Sequence, residues 1–170
     1  MTDNEYFDDH IPHRLNLLIA FRTRYSDGHQ SRASLNSETY RDLFRCTKDM
    51  CFLMTRFFLG ELGLYFDEKT QHIEDAQKWT PRFNRTRAPL SLIRSDLRYT
   101  VLCKMYQTAN DAVAHLNEFR AYHFFETSKE EQQMIPVIDW IEELISRHIY
   151  QAAGRDLERS MKLPNNDMNV

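Results

Sequence analysis

Four long stretches of the chain repeat apolar side chains at intervals of three and four, the spacing of one face of an α-helix. The first predicts a helix over residues 12–25, with Leu15, Leu18, Ile19 and Arg22 on one side. Pro12 suits a first helical turn, and Ser26-Asp27-Gly28 predicts its end, because Gly tolerates a left-handed C-terminal cap. The strongest pattern covers residues 37–62, through Tyr40, Leu43, Phe44, Thr47, Met50, Cys51, Met54, Phe57, Phe58 and Glu61. Ser37 or Asn36 can cap its start, Gly60 and Gly63 mark its end, and a helix of this length spans roughly 38 Å. A third helix is predicted over residues 91–116, on the stripe Ile93, Leu97, Val101, Met105, Thr108, Ala112 and His115. A fourth begins near Ser128, which has capping-box spacing to Glu131. It continues through Ile138, Ile141, Leu144, Ile145, His148, Ile149 and Ala152 to Gly154, with a kink or break at Pro136.

Residues 63–89 lack this regularity. A short helix over residues 73–79 fits them, followed by a loop bracketed by Pro81 and Pro89. No strand-period run stands out, and residues 121–125 are the single aromatic cluster short enough to suggest one. The expected fold is therefore all-α: an antiparallel four-helix bundle with a long, partly structured connection between helices two and three. Residues 1–162 form one domain in this reading, and residues 163–170 a frayed polar tail.

Composition narrows the class. With 170 residues, 42% of them hydrophobic, 28% charged, and only 4 Gly and 5 Pro, the chain is no disordered polymer or collagen-like repeat, and it is poor in the turns an all-β sandwich needs. Three cysteines, Cys46, Cys51 and Cys103, are an odd number that fits a reducing cytoplasm better than an extracellular scaffold. The first residues are acidic (Asp3, Glu5, Asp8, Asp9) and unlike a secretory signal. No apolar run approaches the ~18 residues of a membrane span, so no membrane contact and a cytoplasmic location are expected.

Several chemistries lack their residues. Glu-x-x-His, His-Glu-x-x-His, the glycine-rich nucleotide loops and Gly-x-Ser-x-Gly are all missing. No cofactor is expected. His10 and His13, behind Asp8 and Asp9, form a small oxygen–nitrogen cluster that reads more simply as a mobile acidic leader than as a metal site. His115 and His148 lie on apolar stripes of different helices, far apart in simple antiparallel packing, and each reads as a half-buried histidine bonded to a neighbour. Cys51 falls on the core stripe and behaves as a small apolar residue.

Charge distribution says more than the net −3, which gives no global basicity. Arginine outnumbers lysine by 16 to 6, and guanidinium is the better phosphate and base-stacking group. Between Ala76 and Ser95 stand Lys78, Arg82, Arg85, Arg87 and Arg94, no acid, and the aromatics Trp79 and Phe83. That composition suits contact with single-stranded nucleic acid or another polyanion. The alternative is a solvated loop paired with the acidic N-terminus or with Glu142 and Glu143.

The segment Thr108-Ala-Asn-Asp-Ala-Val-Ala-His115-Leu resembles the motif helix of the HEPN superfamily, small helical bundles common in bacterial defence and toxin–antitoxin systems. The family motif is an Arg, a polar residue, and a His four to six positions beyond the Arg. Asn110 occupies the polar position and His115 the histidine, while Ala109 stands where Arg is expected. The resemblance implies a homodimer binding RNA or a nucleotide, and, in active members, metal-independent RNA cleavage with His as acid–base group and Arg stabilising the phosphate. Without the Arg the expected protein is non-catalytic or weakly active, unless Arg98 or Arg120 substitutes in space. Arg24-Tyr-Ser-Asp-Gly-His29 matches the Arg-to-His spacing too, but its Ser-Asp-Gly reads as a turn. The competing expectation is a protein-interaction or regulatory bundle without nucleic-acid affinity, suggested by Tyr122, Phe124 and Phe125.

Overall fold

The computed structural model describes residues 1–31, 37–110, 125 and 127–157, with residues 26–31 and 37–41 described in backbone alone. The described chain is predominantly helical, with one small two-stranded sheet. Its order is a π-helical turn Glu5–His10, α1 (Ile11–Ser31), α2 (Ser37–Glu61), β1 (Leu64–Asp67), β2 (His72–Asp75), α3 (Leu90–Ser95), α4 (Tyr99–Thr108), α5 (Ser128–Gln132), α6 (Met134–Ile145) and a second π-helical turn Ser146–Tyr150. The polar tail, residues 163–170, lies outside the described residues, as do Tyr122 and Phe124.

Ring contacts fix the helix directions. Phe21 meets Phe44 near one end of α1 while His10 meets Phe57 near the other, so α1 and α2 are antiparallel. The Tyr25 hydroxyl donates to the Ser128 carbonyl, Arg22 pairs with Asp139 and Glu142, and Phe7 packs edge-on against Tyr150. The α5–α6 arm therefore also runs antiparallel to α1. Leu15, Leu18 and Phe21 from α1, Cys51, Phe52, Phe58 and Leu59 from α2, and Ile138, Ile141 and Ile145 from α6 share one buried core. Lys48 on α2 reaches Glu131 at 2.9 Å and the Phe125 carbonyl at 3.3 Å, tying α2 to α5.

The structure departs from the periodicity in identifiable places. The chain start is no mobile leader: Tyr6 and Phe7 are buried, and the π-helical turn feeds directly into α1. Helix α1 runs through Ser26-Asp27-Gly28 to Ser31. A single Gly costs a helix only ~1 kcal/mol relative to Ala, less than helix packing returns. Helix α2 ends where the glycines mark it, and Gly63 adopts φ +78°. Leu43, however, is exposed.

The expected short helix over residues 73–79 is replaced by the antiparallel pair β1–β2, with Leu64 opposite Asp75 and Phe66 opposite Ile73. Leu64, Phe66 and Ile73 point into the core. Asp67 nucleates the turn by accepting from the Lys69 N–H and the Thr70 hydroxyl, and Gln71 closes it in the left-handed region. Two four-residue strands were too short for alternation to stand out from a helical pattern.

The third predicted helix is broken. Asp96 is extended and accepts from the Arg98 N–H, separating α3 from α4 and leaving Leu97, placed on the apolar stripe by spacing, fully exposed. The last helix is interrupted at Gln133, three residues before Pro136, whose ring removes a helical donor. Its capping box uses Thr127 and Glu130, one residue earlier than the spacing of Ser128 and Glu131 suggests.

Candidate functional site

The basic loop is largely neutralised from within. Arg85 is buried, pairs with Glu61, donates to the Tyr6 hydroxyl at 2.8 Å, and donates from Nε to the Arg82 carbonyl. Burial pushes the Tyr6 phenol up to about 12 against the opposing pull of Arg85, and burial lowers the guanidinium of Arg85 itself. Arg87 donates to the Ala76 carbonyl and lies 3.8 Å from Asp75, while Arg94 holds Glu74 and the Ile73 carbonyl. Three of the five cations thus meet carboxylates of α2 and the hairpin, not the N-terminus or Glu142 and Glu143. Lys78 and Arg82 remain exposed. Arg85 and Arg87 both lie over the Trp79 ring, which in turn packs against Gly63.

The motif residues are only partly described. Asn110 is buried, and its Oδ1 has no hydrogen-bond partner among the described residues. His115 and Arg120 lie outside the described residues. Arg24 and His29 lie on α1, not in a turn as their Ser-Asp-Gly suggests, and Arg24 is exposed. At the N-terminus the His10 Nδ1 lies 2.8 Å from the Arg14 guanidinium, and burial, then Arg14 and His13, lower its pKa. Among the described residues no three His, Cys, Asp or Glu side chains are placed to share a metal ion.

The break between α3 and α4 builds a cavity of about 330 Å³ against α6 and the turn that follows it. Its apolar wall comprises Pro89, Leu92, Ile93 and Leu144. On its polar side Arg98 grips Asp96 through two hydrogen bonds of 2.8 and 2.7 Å, and its guanidinium lies 4.8 Å from the Trp140 ring centroid. These bonds hold the Asp96 carboxyl below its ordinary range and raise Arg98. Arg147 and Glu143 line the same cavity and are exposed.

His148 completes the lining. The Thr86 N–H donates to the His148 carbonyl at 2.9 Å, and the Thr86 hydroxyl lies 3.1 Å from Nδ1. As the sequence suggests, the ring is largely buried and bonded to a neighbour. Its Nε2, however, is buried and has no hydrogen-bond partner among the described residues. Burial, and then Arg147, lowers the pKa of His148, so the ring is neutral at neutral pH.

No family model matches the chain, and no curated protein or solved structure matches it. The site rests on its own geometry. Of its members, the sequence had suggested Arg98 only as a stand-in for the missing motif Arg, and His148 only as a bonded core histidine. Thr86, Trp140 and Arg147 were missed. The adjacency of Arg147 and His148 in the last turns of a helix was the available signal, but nothing local shows that the chain break at Asp96 faces them. No described helix is long and apolar enough to cross a membrane.

Proposed function

We propose that the protein is a HEPN-like four-helix bundle, acting as a homodimer, that binds RNA or a nucleotide and is non-catalytic or weakly active. The observation that carries this reading is the cavity between α3 and α6. A guanidinium lying on a tryptophan and a further exposed Arg line one small, half-apolar space. Stacking surfaces together with cations are what RNA and nucleotide ligands use. Lys78 and Arg82 beside Trp79 and Phe83 are the part of the basic loop still free to meet phosphate. Asn110 and His115 belong to the dimer cleft in the HEPN-like arrangement, within a bacterial defence or toxin–antitoxin setting.

The test is retention of end-labelled single-stranded RNA by the purified protein in EDTA, at 50 and 200 mM salt. Salt-sensitive retention supports the reading, since each phosphate contact releases counterions. Cleavage lost in His115→Ala would make the protein an active ribonuclease. Absence of both retention and cleavage would discard the reading. A protein-interaction bundle is then the remaining function, and Leu92 and Leu97, large apolar side chains exposed on adjoining α3 and its end, favour that second reading.

A further inference from the structure

Helix α2 carries a second apolar stripe that the core only partly absorbs. Its buried side chains, Cys51, Phe52, Thr55, Phe58 and Leu59, face inward. Round the opposite side, Leu43, Cys46, Met50, Leu53, Phe57 and Gly60 follow one another at alternating intervals of three and four, the seam spacing of a coiled coil. Leu43, Cys46 and Gly60 are exposed, and the other three are half-buried. Helix α1 borders this seam on one side, where the Arg14 guanidinium lies 4.8 Å from the Phe57 ring centroid. On the other side Arg56 lies against the Tyr106 phenol of α4. Between them a strip roughly 26 Å long is open.

We propose that this strip is the interface of a homodimer, in which α2 of one copy lies antiparallel against α2 of a second and the two α1 helices run along one flank. This rests on the homodimer in the reading above and assigns the surface through which it forms.

Side-chain size and charge both select a second copy in this orientation. Reversed, the seam is its own complement: Leu43 falls opposite the partner's Gly60, Cys46 opposite the partner's Phe57, and Met50 opposite the partner's Leu53. Each outer layer sets a large side chain against a small one. Nothing lies within 4 Å of a Cβ built on Gly60, so the space that a leucine needs is open. A parallel pairing in register sets Phe57 against Phe57 and leaves a gap between two glycines, which close packing penalises. Charge favours the same arrangement. Beside Phe57 the start of the chain is acidic, with Glu5, Asp8 and Asp9 around one open depression that His10 and Arg14 also line. At the far end Arg24 of α1 and Arg45 of α2 are exposed. Arg14 at the acidic end and Asp42 at the basic end offset one charge each and leave Asp9 and Arg24 as the exposed charges nearest the α1 flank. Reversal lays the basic end of each copy on the acidic end of the other, and symmetry makes that contact twice.

Sedimentation velocity tests the assignment, on the full chain at up to about 100 μM, where even a dimer of micromolar Kd is formed. The parent protein should sediment as a dimer. Leu43→Glu combined with Cys46→Glu, both at exposed positions, should give a monomer with an unchanged urea midpoint. Arg24→Glu should weaken dimerisation about tenfold, because two surface attractions become repulsions. Adding Asp9→Arg should restore it to within about threefold of the parent. Cys46 reports the direction of pairing. Antiparallel packing separates the two thiols by about eleven residues of helix, roughly 16 Å, beyond the reach of a disulfide. Mild oxidation should therefore leave the dimer without a covalent link, and a Cys46–Cys46 disulfide would overturn the antiparallel pairing. A dimer that survives Leu43→Glu with Cys46→Glu would overturn this surface and leave the homodimer standing. A monomeric parent would overturn both, while RNA retention, measured separately, decides the rest of the reading. Should the double variant fail to fold, Arg24→Glu carries the test alone, and dimerisation unchanged in it overturns the assignment.

Discussion

Thr86 holds His148 twice, through a backbone N–H on the histidine carbonyl at 2.9 Å and a hydroxyl 3.1 Å from Nδ1. One residue of an irregular loop thereby fixes both the end of the last helix and the orientation of the ring it carries. The carbonyl belongs to the last turns of a helix, where intrahelical donors run out.

Thr86→Val keeps the backbone bond and the shape of the side chain but removes the hydroxyl. We expect a loss of about 1 kcal/mol in urea unfolding, the usual worth of one neutral hydrogen bond. The ring should also lose its fixed orientation, seen as broadening of the His148 imidazole resonances by NMR.

Arg85 should behave as a core residue and not as a surface cation. Arg85→Ala leaves the half-buried Glu61 carboxylate with the Tyr6 hydroxyl as donor but without its counter-charge, and should cost about 3 kcal/mol by urea titration. Glu61→Leu combined with Arg85→Met should recover part of that, since removing both charges leaves none unpaired. The pair Lys78→Glu and Arg82→Glu, at exposed positions, should leave stability within about 0.5 kcal/mol of the parent.

Gly63 cannot carry a side chain. Its φ is +78°, and an added Cβ would lie 2.9 Å from Trp79 Cδ2 and 3.0 Å from the side chain of Arg87. Gly63→Ala should lower stability by about 2 kcal/mol in urea unfolding, combining backbone strain with displacement of the Trp79–Arg87 stack.

Stability should fall with acid through His148. Its pKa in the folded protein lies below the ordinary 6.5, so in the window between the two values the unfolded chain binds more protons than the folded one. The neutral ring's contribution is complete above about 6.5 and is lost as pH falls from there toward the folded value. His10 is shifted in the same direction and acts with the same sign. Urea midpoints measured from pH 7.5 to 5 should therefore decline, and His148→Asn should flatten the part of the slope that belongs to this ring.

The helices were legible wherever apolar spacing was long and unbroken. Residues 37–62 gave α2 to within one residue at its end, because 25 residues of consistent stripe outweigh any single exception. Leu97 shows the opposite case: it fits the stripe of Ile93 and Val101, yet one side chain–backbone bond from Asp96 breaks the helix and turns it to solvent. The loop arginines were legible as a cluster but not as partners of Glu61, Glu74 and Asp75. Two of those acids lie on a hairpin whose strands are four residues long. The cavity was hidden for a related reason. Its residues come from positions 89–98 and 140–148, on either side of the α3–α4 break and on the last helix.

The chain contains two tryptophans, and each lies beneath arginine: Trp140 under Arg98, and Trp79 under Arg85 and Arg87. Their fluorescence is accordingly a pair of built-in gauges of separate events. A ligand that displaces or covers Arg98 changes the emission of Trp140, and loosening of the loop from the hairpin changes that of Trp79. Replacing either indole by Phe leaves a protein whose remaining emission follows one region alone, so occupancy of the cavity and release of the basic loop can be followed independently without attaching a dye.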